Sequence, residues 1–213
     1  MLRRPISVAD VEAGRVRLVF RVVGRGTALL SHVRPGDELD VLGPLGRPAP
    51  EMRGQDVIIC GGGIGAAPLL FLARRLAKAN RLRVFVGVRT KAELLLLKEF
   101  RGLGAKVAVA TDDGSVGYKG MVTELVETQC RMQNGGQRSA VSGQPSVVFA
   151  CGPRPMLADL VKRLDPIPVW GFIEERMGCG TGICYCCALP KKGGGHVRFC
   201  EEGPVVRLNE VVL

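Results

Sequence analysis

The sequence predicts an α/β fold with a doubly wound parallel sheet, preceded by a short β segment and followed by a small cysteine-rich module. Three observations carry this. Residues 15–23, "RVRLVFRVV", alternate basic and apolar side chains with the period of two expected of a half-buried strand. From Gly54 onward, short apolar runs alternate with longer helical ones, and a glycine-rich turn follows the first run. From residue 174 the alternation stops, and Cys179, Cys184, Cys186 and Cys187 fall within nine residues.

Residues 1–53 are expected to be β structure. "GRGT" and "RPGDEL" are turn signals, and "DVLGPLG" suggests another short strand and turn. Residues 54–168 follow as the α/β domain. The expected strands are 57–60, 83–87, 106–110 and 146–150. The expected helices are 66–79, 91–103, 119–130 and 153–164, the first with Pro68 in its opening turn, where a missing N–H costs little. Residues 131–145, polar and rich in Gly, Ser and Gln, are expected to be a loop. A fifth strand at 169–173 leads into the final module, bounded at 169–213. Short apolar strands alternating with helices imply a parallel sheet buried on both faces.

The composition narrows the function. The chain has 213 residues, 46% of them hydrophobic, enough to bury a core. Residues 54–110 carry ten Lys/Arg against three Asp/Glu, whereas 111–213 balance at eleven each. A basic surplus beside a glycine-rich loop suits an anionic dinucleotide or an acidic protein partner. No Lys/Arg cluster is interleaved with aromatics, and aromatics total 5%, so nucleic acid is not expected. The uncharged run 57–73 holds four glycines and a proline, which fits a strand, turn and helix better than a membrane span. Met1 runs directly into Arg3 and Arg4 without an apolar signal segment. Eight cysteines in such a chain indicate a reducing, cytoplasmic setting with a metal site.

The turn "CGGGIGAAP" places Gly61, Gly62, Gly63 and Gly65 between a strand and a helix, and Gly61-x-Gly63-x-x-Ala66 fits a dinucleotide-binding pattern. Glycines there let backbone N–H groups approach a pyrophosphate. No acidic residue follows ~20 positions later to hold a ribose hydroxyl; the second strand ends "GVRT", and Arg89 leaves NAD against NADP open. Cys151 and Gly152 in "ACGPRPML", and Asp112 and Asp113 in "TDDGSVGYKG", end later strands and are expected along the same crevice. Either aspartate could meet a ribose or shape the turn. The two histidines, His32 and His196, lie far apart in sequence, and no nucleophile–base pair is evident.

Cys179-x4-Cys184-x2-Cys187, followed by Cys200, has the spacing of plant-type 2Fe-2S ferredoxins. Two irons need four thiolates in a tight loop, and Gly178, Gly180 and Gly182 let such a loop curl. Zinc bound by four cysteines is the alternative, though its paired C-x2-C knuckles are absent. Cys186 is spare under this spacing. Cys60, Cys130 and Cys151 are isolated and expected to be buried as small apolar groups.

The ordered motifs "RPIS", "FRVVGRGT", "GGGIGAAPL", "TDDGSVGYKG", "CGPRPM", "ERMGCGTGICYCC" and "FCEEGPV" resemble the electron-transfer subunits of heterodimer-type, NAD-dependent dihydroorotate dehydrogenases, a family of the ferredoxin-reductase superfamily. The resemblance implies a flavin-binding β-barrel at 1–53, with FAD contacts from Arg4, Pro5, Ile6, Ser7, Val19, Phe20, Arg21, Gly26 and Thr27. It assigns the cluster to Cys179, Cys184, Cys187 and Cys200. It also implies a partner, an FMN-containing dihydroorotate dehydrogenase catalytic subunit in a heterotetramer. Electrons would pass from that FMN through 2Fe-2S and FAD to NAD⁺, in pyrimidine (UMP) biosynthesis. Family members have several barrel strands before "RPIS", whereas Met1 lies three residues before Arg4 here. The expectation is either a mis-called start codon or a partial barrel with weakened FAD retention. The alternatives are a similar subunit serving a hydrogenase or transhydrogenase, and a flavin-free, zinc-stabilised regulatory subunit.

Overall fold

The computed structural model describes residues 3–132 and 147–213. Strands β1 (Val8–Glu12) and β2 (Arg15–Leu18) form an antiparallel pair. Its turn uses Ala13 and Gly14, both with positive φ. The expected 15–23 strand therefore stops at Leu18. Beyond it the chain enters a short helix, α1 (Arg25–Leu30), where only a turn was expected. The Thr27 hydroxyl accepts the Val23 and Gly24 N–H groups at 2.9 and 3.2 Å, taking up donors that a helix start leaves open. The segment "DVLGPLG" forms no strand; beyond it, Arg47 makes an isolated bridge to Pro204.

The next elements are β3 (Asp56–Gly62), α2 (Ala66–Leu76), β4 (Arg81–Val88), α3 (Leu97–Gly102), β5 (Lys106–Thr111), β6 (Tyr118–Lys119) and α4 (Val122–Met132). After them come β7 (Val147–Cys151), α5 (Arg154–Leu164), β8 (Val169–Phe172), β9 (Ala188–Pro190), β10 (His196–Arg198) and β11 (Val205–Arg207). Seven strands make one sheet in the order β11-β8-β7-β3-β4-β5-β6. All its pairings are parallel except β11 on β8. The chain winds outward from β3 to β6, then returns to lay β7 and β8 on the other side. The strand order reverses between β3 and β7, the position at whose carboxyl ends open α/β sheets generally bind ligands.

Alternation within β3 explains the two cores. Val57 and Ile59 face α2, α3 and Ala9, while Ile58 and Cys60 face α4 and α5. The second core runs on without a break into Cys187, Leu189, Phe199, Cys200 and Leu208. The cysteine-rich segment is therefore not packed apart from the α/β core, as its composition suggested. It shares that core and supplies a sheet strand.

The expected helix at 91–103 is split into a 3₁₀ turn, Lys91–Glu93, and α3. Between them Leu96 adopts φ 61° and is buried. Four successive leucines, 94–97, cannot share one helix face, and the break lets Leu96 join the core. Residues 133–146, most of the expected loop, lie outside the described residues. No described helix is long and apolar enough to cross a membrane.

Candidate functional site

The glycine turn sits where the topology puts a ligand. Gly63 opens the 3₁₀ turn Gly63–Gly65 with φ 55°, and a Cβ there would have no atom within 4 Å. Its neighbours are crowded. A Cβ on Gly65 would run into the Cys151 carbonyl oxygen, and one on Gly62 would lie 2.6 Å from Met156 Sδ. A Cβ on Gly61 would sit 3.0 Å from Ala66 Cα, and one on Gly152 would meet Met156 Sδ at 3.1 Å. Gly61, Gly62, Gly65 and Gly152 thus let β3, α2 and the β7 end close together, while Gly63 faces open space. The following helix, α2, starts with no side-chain cap and no acidic residue in its first turn. Its leading N–H groups and dipole suit an anion.

Cys151 ends β7 with its side chain 2% exposed, and burial pushes its thiol far above the ordinary range. Its side chain belongs to the α2-side core, which leaves only its backbone for a ligand at the end of β7. Cys60 is likewise pushed up to about 12 by burial, and burial also raises Cys130. Asp113 shapes its turn: its carboxylate accepts the Ser115 N–H at 2.9 Å, and bonding to Ser115 holds it below the usual carboxylate range. Asp112 stands exposed beside it, its N–H on the Val88 carbonyl at 3.2 Å. Arg89 is exposed at the end of β4.

The cysteine loop is held by backbone donors aimed at sulfur. Cys179 Sγ accepts the Thr181 and Cys184 N–H groups at 3.4 and 3.5 Å. Cys200 Sγ accepts the Gly182 N–H at 3.2 Å, and Cys187 Sγ accepts the Cys200 N–H at 3.4 Å. The Cys187 and Cys200 sulfurs lie 3.4 Å apart and are buried. Gly180 and Gly182 have φ near 75°, and Tyr185 joins them at 54°. Hydrogen bonds from Thr181, then Cys184, pull the Cys179 thiol down to about 5, so it is a thiolate at neutral pH. Cys200 is raised by burial and by its neighbour Cys187. Cys184 and Cys186 are exposed. Among the described residues no three His, Cys, Asp or Glu side chains converge on a single ion position.

The N-terminal motifs meet at α1. A Cβ on buried Gly26 would lie 2.9 Å from Arg4 Nε, so the Arg4 side chain packs against the helix start. Val19 packs against the α2-side core, and Arg21 reaches Glu93 at 3.9 Å. Pro5, Ile6, Ser7 and Phe20 are exposed or half-buried. Leu42 and Leu45 come within 3.0 and 3.3 Å of a Cβ on Gly180, joining this segment to the cysteine loop. Sequence reasoning missed Arg198, Met156 and the Arg154–Glu175 ion pair, which joins the "CGPRPM" turn to the irregular segment leading from β8 into the cysteines. Their roles rest on contacts between elements, which no local pattern encodes.

Residues 174–212 match the profile of the iron-sulfur cluster binding domain of dihydroorotate dehydrogenase B. Residues 58–162 match that of the oxidoreductase NAD-binding domain. The whole chain aligns at 41% identity with the dihydroorotate dehydrogenase B (NAD(+)) electron transfer subunits of Bacillus caldolyticus and Geobacillus kaustophilus, covering 81% of each. A solved NADH-dependent reduced ferredoxin-NADP oxidoreductase, studied for flavin-based electron bifurcation, superposes with TM-score 0.84 at 34% identity, over 99% of this chain and 74% of that one.

Proposed function

The chain belongs to the electron-transfer subunit family of NAD-dependent dihydroorotate dehydrogenase B, and from this we propose that it links a partner's oxidation of dihydroorotate, a step of pyrimidine synthesis, to reduction of NAD⁺. The observation that carries the reading is the cysteine loop, where backbone N–H groups of four residues point at three cysteine sulfurs. Such donors stabilise thiolates on iron and tune a cluster's potential. Cys179, Cys184, Cys187 and Cys200 are the proposed ligands. The Cys187 and Cys200 sulfurs are close enough to share one metal ion, and the C-x4-C-x2-C spacing supports two irons over one zinc. When bound, a 2Fe-2S cluster supplies one-electron transfer, FAD exchanges one- and two-electron steps, and NAD⁺ takes a hydride.

The proposed NAD site lies at Gly61–Gly65, Asp112, Cys151 and Gly152. Open space at Gly63 and the uncapped start of α2 support a pyrophosphate there. Arg4, Pro5, Ile6, Ser7, Val19, Phe20, Arg21, Gly26 and Thr27 are the proposed FAD residues. The packing of Arg4 on Gly26 supports this, because it draws two separated motifs together. Residues 1–53, 54–168 and 169–213 then divide the work between FAD, NAD and the cluster. The proposed partner is an FMN-containing catalytic subunit, in a cytoplasmic heterotetramer. Ile183 and Tyr185, 79% and 58% exposed on the cysteine loop, offer it an apolar contact beside the cluster.

Likeness to the bifurcating NADH-dependent oxidoreductase supports a second reading, in which the partner is a transhydrogenase-type subunit. One experiment separates the two. The chain is produced with the dihydroorotate-oxidising subunit, and NADH formation is followed after dihydroorotate is added. NADH formation that disappears when this chain is omitted is the expected result. No coupling to dihydroorotate, together with NADH-dependent reduction of NADP⁺ or ferredoxin with another partner, favours the second reading.

A further inference from the structure

Arg198 closes strand β10, opposite Ala188 on β9, so the hairpin fixes where its side chain starts. Its guanidinium donates to the Gly182 carbonyl at 2.9 Å. It pairs with Glu201 at 2.7 Å and lies 3.8 Å from Glu202. Its own backbone N–H bonds the Glu202 carboxylate at 2.9 Å. The guanidinium carbon is 5.3 Å from the centroid of the Tyr185 ring.

Gly182 is thus held at both ends. Its carbonyl accepts from Arg198, and its N–H donates to Cys200 Sγ at 3.2 Å. There is no slack around it, since a Cβ would run into the Glu201 carboxylate and meet the Arg198 guanidinium at 3.2 Å. Gly182 and Tyr185 are two of the three residues with left-handed backbone in the 180–185 stretch, and Arg198 touches both. Left-handed residues do not hold themselves in place as a helix or ladder does, so an outside tie matters here.

We propose that Arg198 is a positioning residue for the cluster: it holds Gly182 so that the N–H stays on Cys200, and its charge offsets Glu201 and Glu202. Cluster potential depends on net charge and on hydrogen bonds to sulfur. A cation beside the loop favours the more negative, reduced state. Without Arg198, two carboxylates stand there uncompensated and the Gly182 donor loosens. Both changes make the cluster harder to reduce. The inference rests on the cluster reading above.

The test is a redox titration of the full chain, purified anaerobically, followed by the electron paramagnetic resonance signal of the reduced protein. Iron and sulfide per chain are measured on the same samples. Arg198→Gln keeps a donor for Gly182 but loses the charge. It should load iron like the unsubstituted chain and titrate at a more negative potential. Arg198→Lys keeps the charge and should titrate close to the unsubstituted chain. An Arg198→Gln protein that loads fully and titrates at the unsubstituted potential overturns the inference. If Arg198→Gln loads poorly, Arg198→Lys decides. Full loading at an unchanged potential supports the role of the charge; failure of the lysine variant too shows a guanidinium needed only for folding, and the proposal falls. An unsubstituted chain without iron would sink the cluster reading and this inference with it, whereas a normal cluster with an insensitive potential sinks the inference alone.

Discussion

Substituting Gly63 separates binding from folding in a way the other glycines of the turn do not allow. Gly63 has φ 55° and no atom within 4 Å of a Cβ position, so a side chain there starts into open space. The folding cost of Gly63→Val is then the left-handed backbone alone, about 1–2 kcal/mol. Gly63→Asn should cost less, because asparagine visits that region readily. Both side chains occupy the space through which a pyrophosphate would approach. Each should raise KM for NADH tenfold or more, about 1.4 kcal/mol or greater. The assay is NADH-dependent dye reduction, with flavin and iron content and a denaturant melt on the same preparations. Gly65→Ala is the contrast, since its methyl collides with the Cys151 carbonyl and should lower stability first. A folded Gly63→Asn protein with unchanged KM would refute the placement of the dinucleotide.

Three further outcomes are expected. Serine at Cys179, Cys184, Cys187 or Cys200 should abolish the cluster signal, while Cys186→Ser should keep it; loss of iron in Cys186→Ser with retention in Cys187→Ser reverses the ligand assignment. In the iron-free chain, alkylation of Cys179 read by mass spectrometry should rise with pH around a midpoint of about 5, not near 9.0. Because its folded value is depressed, its contribution to the iron-free fold is full above the unfolded value and fades as pH falls through about 5. Thr123 is fully buried on α4 and donates to Asp159 on α5 at 2.6 Å. Thr123→Val should lower stability by about 1–2 kcal/mol at an unchanged denaturant slope, and no loss would mean that the helices hold without that bond.

The parts legible in the sequence were those fixed by local pattern. Apolar runs with helices between them marked β3, β4, β5, β7 and β8, because strands buried on both faces must be apolar throughout. Cysteine spacing and glycine content marked the loop at 179–187. What escaped was decided by distant partners. Strand β11 has three residues and exists because β8 offers an open edge. Helix α1 forms around the Thr27 hydroxyl, whose role a run of sequence reading "GRGT" conceals behind two glycines. Leu96 breaks a helix that propensity alone would continue, because burial outweighs it. Arg198 looks like any strand-end cation until Gly182, sixteen residues earlier, is folded against it.

These distant contacts also bear on how the three proposed cofactor sites would serve one transfer. A relay needs its sites held in fixed relation, and separate modules on flexible linkers would not provide that. Here the cysteine segment is bound on several sides. β11 extends the sheet that carries the glycine turn, and Cys187 and Cys200 lie in the core shared with α4 and α5. The Arg154–Glu175 pair ties the turn after β7 to the approach to Cys179. From the other side, the Arg47 N–H bonds the Gly203 carbonyl at 2.6 Å, and Leu42 and Leu45 press on Gly180. The N-terminal segment is in turn anchored to α2 by Asp10 and Arg74, 2.6 Å apart, with Asp10 only 4% exposed. Apart from the β11–β8 pairing, which lies within residues 169–213, each tie crosses a boundary between the segments proposed for FAD, NAD and the cluster. The cysteine spacing alone accounts for the proposed cluster site; it is the crossing ties that pack it against the segments proposed for FAD and NAD.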